Sequence, residues 1–149
     1  MQRELSAAGL TVKIEGEEII VSAEQDVAVK FADLPALLES GIPAQRLAKY
    51  FLSDEYIMRI DLQSSLGKRG LERVLGRLLG RNGSVKRKIE ELSNASVYIS
   101  GGVVTILGGY QEIVEAKAIV DDLVAGKPHK IALLNAEKRI ARNLGLKPW

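Results

Sequence analysis

The chain of 149 residues has no cysteine, one histidine and one tryptophan. Without cysteine it has neither a disulfide framework nor a thiolate metal site, and a reducing, cytoplasmic setting fits. The lone His129 has no second imidazole for a metal pair and no thiol for a nucleophile–base pair. After Gly126-Lys127-Pro128 it reads as a residue that caps or packs near a helix start. The acidic pairs Glu17-Glu18, Glu90-Glu91 and Asp121-Asp122 are sequence neighbours on solvated faces, not a carboxylate dyad. No P-loop or dinucleotide fingerprint occurs, so the expectation is a non-enzymatic protein without a cofactor. No apolar run approaches the roughly 18 to 20 residues that span a bilayer. Met1-Gln2-Arg3-Glu4 leads into nothing like a signal peptide. Trp149 and the four tyrosines form no paired-aromatic platform on which bases would stack.

What the chain does have is an uneven charge. Residues 1–67 hold 6 basic and 11 acidic side chains, net −5, and residues 89–149 hold 7 of each. Between them, residues 68–88 hold 8 basic side chains against Glu72 alone, net +7. Such a concentration is the electrostatic footprint of an anion-binding surface, or simply a solvated helical face.

A repeat runs at an offset of 85 residues. Val12-Lys13-Ile14-Glu15-Gly16 aligns with Val97-Tyr98-Ile99-Ser100-Gly101, and Leu38, Gly41 and Pro43 fall on Leu123, Gly126 and Pro128. Each copy has two alternating apolar stretches around glycine, which predicts a β-hairpin. A helical pattern follows, from about Asp26 to Glu39 and from Tyr110 to Ala125, each stopped by glycine. Proline then opens another helix in each. The second copy has more ahead of its hairpin. Tyr56 to Leu62 reads as a strand, and Leu71, Val74, Leu75, Leu78 and Leu79 give an amphipathic helix. A glycine turn and a helix with Val85, Ile89 and Leu92 on one face come next. The first copy has only the closing strand-strand-helix part.

The turn is Gly80-Arg81-Asn82-Gly83, followed by Ser84-Val85-Lys86-Arg87-Lys88. Backbone N–H groups at a tight glycine turn and a helix N-terminus attract anions, and flanking cations strengthen the attraction. Gly67-Lys68-Arg69-Gly70 has the same spacing but lies between a strand and a helix. It reads first as a loop with solvated charges, and second as a further backbone contact.

This pattern resembles type I KH domains, whose motif is Ile-Gly-x-x-Gly-x-x-Ile-x-x-Ile with Thr-Gly-Ala before a strand. It is met by Leu79-Gly80-Arg81-Asn82-Gly83, Ile89, Ser93-Asn94-Ala95 and Val97, with Lys86 where generic KH domains favour isoleucine. A basic run there is similar to a narrower family, the archaeal ribosome-assembly KH proteins, counterparts of the eukaryotic partner-of-Nob factor. Three more stretches look like that family: Gly41-Ile42-Pro43 through Tyr56 to Leu62, Gly76-Arg77-Leu78-Leu79-Gly80, and Ala125-Gly126-Lys127-Pro128-His129.

The resemblance implies an α+β fold: a type I KH domain (β-α-α-β-β-α) with a partial KH-like β-β-α unit packed against it. The expected boundaries are 1–53 for the partial unit, 54–129 for the KH domain and 130–149 for a C-terminal helix. It also implies binding of single-stranded RNA, such turns clamping about four nucleotides, at the 3′ region of small-subunit rRNA. Implied protein partners are the rRNA-processing endonuclease and the α subunit of archaeal initiation factor two.

In that reading Gly80 and Gly83 let backbone approach phosphate, Asn82 hydrogen-bonds it, and Ser84 belongs to the same turn. Arg81, Lys86, Arg87 and Lys88 pair with phosphates, although helical spacing cannot turn all of them to one strand. Arg73 and Arg77 share a face that extends the track. Val97 and Ile99 floor a base groove, with Ile89 beneath, unless they are simply core. The rival readings are a KH-fold protein-interaction scaffold, with Leu37, Leu38, Leu47, Tyr50 and Phe51 offering the surface, and a regulatory paralogue with little RNA binding.

Overall fold

The computed structural model describes residues 4–7, 10–15 and 18–23 as strands and residues 34–146 in full. It divides into two units, Met1–Asp54 and Glu55–Trp149. In the first, β1 (Glu4–Ala7), β2 (Leu10–Glu15) and β3 (Glu18–Ala23) form an antiparallel sheet in the order β1-β2-β3. Helices α1 (Leu34–Glu39) and α2 (Ala44–Leu52) follow. The part of the expected helix from Asp26 to Asp33 lies outside the described residues.

The repeat extends to backbone register. Val12 pairs with Val21 and Ile14 with Ile19 in the first hairpin. In the second, β5 (Ser96–Ser100) and β6 (Val103–Gly108), Val97 pairs with Ile106 and Ile99 with Val104, the same pairing 85 residues on. Gly41 and Gly126 both have positive φ, +72° and +93°. Pro43 and Pro128 stand at the N-caps of α2 and of the helix His129–Asn143 with nearly the same backbone angles. Strand β1 departs from expectation: it is a third strand in the first unit, paired with β2 through Leu5↔Val12. In the second unit the added strand takes the other edge, pairing with β6.

The second unit runs β4 (Tyr56–Asp61), α3 (Lys68–Leu79), a 3₁₀ turn (Arg81–Gly83), α4 (Ser84–Ser93), β5, β6, α5 (Tyr110–Val124) and α6 (His129–Asn143). Its sheet order is β4-β6-β5, all antiparallel. The sequence β-α-α-β-β-α is that expected of a type I KH domain. Met58 and Ile60 on β4 and the buried Val97, Val104 and Ile106 turn one sheet face toward the helices. The helices answer with Val74 and Leu78 (α3), Val85 and Ile89 (α4), and Ile113, Ala116, Ile119 and Leu123 (α5), all buried. Each fully buried aliphatic side chain contributes about 1.5–3 kcal/mol. Helix α6 shares this core through Ala132 and Ala136, both 0% exposed, whose small size lets the helix come close.

The Ser93-Asn94-Ala95 segment shows why the Thr-Gly-Ala pattern works here. Asn94 is left-handed (φ 60°) and closes α4 with its N–H donating to the Glu90 carbonyl, as glycine would. The Ser93 hydroxyl donates to the Ile89 carbonyl at 2.7 Å and accepts from the Ala95 N–H at 3.2 Å.

Of the apolar residues weighed as a protein-binding surface, Leu37, Leu47 and Tyr50 are buried and Phe51 is half-buried; Leu38 alone of the five is largely exposed. That surface is mostly interior. No helix among the described residues is long and apolar enough to cross a membrane.

Candidate nucleic-acid interface

Helix α3 stops because Gly80 adopts φ 69°, ψ −178°, while its N–H still donates to the Gly76 carbonyl at 2.9 Å. A Cβ there would lie 2.4 Å from Val85 Cγ2 and 2.9 Å from the Val85 nitrogen, so only glycine fits. Asn82 (φ 55°) and Gly83 (φ 72°) are both left-handed, and the chain re-enters a helix at Ser84. Asparagine tolerates that conformation better than most side chains.

Gly83 offers no capping side chain and the first turn of α4 holds no acid. Across the 3₁₀ turn the Gly83 N–H donates to the Gly80 carbonyl at 3.4 Å and the Ser84 N–H to the Arg81 carbonyl, so the first turn of α4 draws an anion through its dipole. Cations in that turn oppose the helix dipole by about 0.3–1 kcal/mol each, a cost that an anion at the N-terminus reverses. Arg81, Asn82, Ser84, Arg87 and Lys88 are exposed around it. Among the described residues no carboxylate lies within ion-pair distance of Arg81, Arg87 or Lys88.

Two expected phosphate contacts are otherwise engaged. Arg77 donates through Nε to the Leu123 carbonyl at 3.1 Å and through Nη2 to the Lys127 carbonyl. Its guanidinium caps the end of α5 rather than extending the track. Lys86 pairs with Glu90 at 3.0 Å, and its Nζ lies 5.6 Å from the centre of the Tyr98 ring. Lys68, Arg69 and Arg73 are exposed along α3.

Val97 is 1% exposed and Ile89 likewise, so both are core side chains, and Val97 does not offer the open floor expected of a base groove. Ile99 is half-buried and packs against the same core. Glu90 departs from its reading as one of a solvated acidic pair: it is half-buried, accepting from Lys86 through one oxygen and from the Val97 N–H through the other at 3.1 Å. The i,i+4 spacing of Lys86 and Glu90 carried that signal.

His129 opens α6 and packs there without capping it. Asp121 pairs with Lys117 at 2.5 Å and Asp122 with Lys127 at 2.7 Å, so this acidic pair is divided between separate cations. A cleft of about 540 Å³ opens between the end of α4, the start of α5 and the end of α6. Glu115 in its wall is held by Arg139 at 3.2 Å and Asn143 at 3.4 Å. No cluster of three metal-ligating side chains occurs among the described residues.

Comparison with known proteins gives a consistent result. The family described as the eukaryotic-type KH domain (KH domain, type I), the second KH domain of PNO1 proteins, matches residues 56–141. A KH domain-containing protein of Methanocaldococcus jannaschii is 33% identical over 85 residues, 56% of this chain and 37% of that protein. The pre-rRNA-processing protein pno1 of Aspergillus oryzae is 32% identical over 80 residues, 52% of this chain and 31% of the other. The chain thus spans about a third of the length of these relatives. Among solved structures, one of a complex of a/eIF2alpha, aDim2p and rRNA from Pyrococcus horikoshii aligns at TM-score 0.72 and 30% identity. That alignment covers 89% of this chain and 77% of the other.

Proposed function

The chain belongs to the eukaryotic-type (type I) KH-domain family, and from that membership we propose a binding protein, not an enzyme, that grips single-stranded RNA during small-subunit ribosome assembly. The observation that carries this reading is the Gly80–Gly83 turn: a helix N-terminus without a side-chain cap, ringed by exposed cations that have no carboxylate partner among the described residues. Its target is the 3′ region of small-subunit rRNA, and its setting is the cytoplasm. The relatives' role in pre-rRNA processing and the rRNA complex of the Pyrococcus protein support the RNA class. The same complex supports the α subunit of initiation factor two as a protein partner. The rRNA-processing endonuclease is a further partner implied by resemblance alone. In this reading the domain bounds are 1–53, 54–129 and 130–149, with the middle segment holding the RNA.

The test is fluorescence-anisotropy binding of a short single-stranded RNA matching the 3′ end of small-subunit rRNA. The wild type is compared with an Arg81→Asp, Asn82→Asp double variant whose folding is checked by circular dichroism. Three free cations at the turn (Arg81, Arg87, Lys88) predict a log–log salt slope of about −2, at about −0.7 per phosphate contact. The double variant should bind at least about tenfold more weakly, since it reverses one cation and adds a second anion beside phosphate. Equal binding by both proteins, or a slope near zero, would refute the site and leave the interaction-scaffold reading.

A further inference from the structure

Of the cations in residues 68–88, three stand at the turn, and Arg77 and Lys86 are engaged within the fold. Lys68, Arg69 and Arg73 remain, all exposed on α3. At about 100° per residue, Arg69, Arg73 and Gly76 fall within about 60° of one another and form a strip that leads to Gly80. Lys68 and Glu72 lie to one side of it, one helical turn apart, and Arg77 on the other side turns to the end of α5. Neither strip arginine has a carboxylate within ion-pair distance among the described residues. Two features of the strip weaken the helix itself. Like charges four residues apart repel, and an interior glycine is a poorer helix former than alanine. Gly76 is exposed, and an added Cβ there would meet nothing within 4 Å, so no close packing among the described residues explains it. Both features suit a polyanion lying along the strip. It screens the arginine pair, and the missing side chain lets it run close to the helix on its way to the turn.

We propose that Arg69 and Arg73 form a second phosphate-binding strip, which lengthens the footprint on single-stranded RNA beyond the nucleotides held at the glycine turn. This rests on the RNA-binding reading above. By helical rise Arg73 stands about 10 Å and Arg69 about 16 Å from Gly80. A turn of this kind clamps about four nucleotides, so the phosphates on the strip belong to flanking nucleotides of the same strand. Each guanidinium presents a planar fork of donors that matches two phosphate oxygens. Such contacts add affinity and carry no base preference.

The experiment measures anisotropy binding of the full chain, across a salt series, to oligo(rU) of about four and about ten nucleotides, one matching the turn and one exceeding it. Three contacts at the turn predict a log–log slope of about −2 for the short strand, and two further contacts about −3.5 for the long one. The Arg69→Ala, Arg73→Ala double variant, its folding checked by circular dichroism, should bind the long strand roughly tenfold more weakly, on the order of threefold per exposed contact. Its slope on that strand should return to about −2, and its binding of the short strand should stay as in the wild type. Arg142→Ala removes a like charge at the last turn of α6, beside the opposite end of α4, and should alter neither affinity. Equal slopes for the two lengths in the wild type, a double variant that weakens both lengths alike or neither, or a comparable loss in Arg142→Ala would each overturn the strip while RNA binding at the turn stands. Absence of binding to either strand by the wild type would overturn both this inference and the RNA reading.

Discussion

Gly80 and Gly83 bracket one turn, but the structure assigns them different costs of substitution. At Gly80 the backbone (φ 69°, ψ −178°) lies in a region open essentially to glycine, worth about 1–3 kcal/mol of strain for another residue. Alanine would also drive its Cβ to 2.4 Å from a Val85 methyl and 2.9 Å from the Val85 nitrogen. The nitrogen cannot move without moving the start of α4, so overpacking adds about 1–3 kcal/mol. The sum is about 4 kcal/mol. Gly83 (φ 72°, ψ 17°) is ordinary left-handed helix, with nothing within 4 Å of an added Cβ. Alanine there costs only the left-handed penalty of about 1–2 kcal/mol. In urea, with a slope of about 2 kcal/mol/M, Gly80→Ala should lower the unfolding midpoint by roughly 2 M and Gly83→Ala by under about 1 M. Circular dichroism at 222 nm follows both. Midpoints within roughly 0.3 M of each other would refute the reasoning, because they would mean that α3 and α4 reorient freely around the turn.

Arg77→Ala should cost about 1–2 kcal/mol by removing charged donors from two carbonyls at the end of α5. It should leave the salt slope of RNA binding unchanged, whereas Arg87→Ala lowers that slope with little change in stability; anisotropy against salt, beside urea titrations, separates the two. Asp61 should titrate below the ordinary aspartate range, chiefly because the Ser64 hydroxyl donates to it at 2.6 Å and next because the Ser64 N–H does. A lowered native value means its stabilisation is present above the unfolded aspartate pKa and is lost as pH falls through the native one. Ser64→Ala should raise the Asp61 midpoint toward normal in a carbon-detected NMR titration; an unmoved midpoint would refute that cause.

Much of the second unit was legible because its signals are local. Period-2 alternation through Val97, Ile99, Val104 and Ile106, heptad-like spacing through Leu71, Val74, Leu75 and Leu78, and a glycine turn between helices need only near neighbours to be read. The repeat was legible for the same reason, since Gly41 and Gly126 end helices and Pro43 and Pro128 start them through their own backbone preferences. Strand β1 was not. Four residues, Glu-Leu-Ser-Ala, give too short an alternation to register, and the pairing that makes them a strand comes from β2. The first unit's apolar residues were misread because helical spacing leaves open which face is covered, and Leu37, Leu47 and Tyr50 turned out to be interior.

The charged residues mark where sequence reading stops. Along residues 68–88 eight cations look alike, yet each one's role depends on an acceptor that composition does not reveal. Arg77 finds carbonyls 46 and 50 residues away, brought near because α5 packs against α3. Lys86 finds Glu90 one helical turn on, and Glu90 is fixed in turn by a strand-edge N–H seven residues further along. Arg81, Arg87 and Lys88 are left exposed at the turn, beside the N-terminus of α4. The net charge of +7 thus overstates the anion site, and subtracting the cations that the fold uses for itself sharpens it. The same subtraction shows that Glu90 serves the fold, joining Lys86 on its own helix to the Val97 N–H at the strand edge.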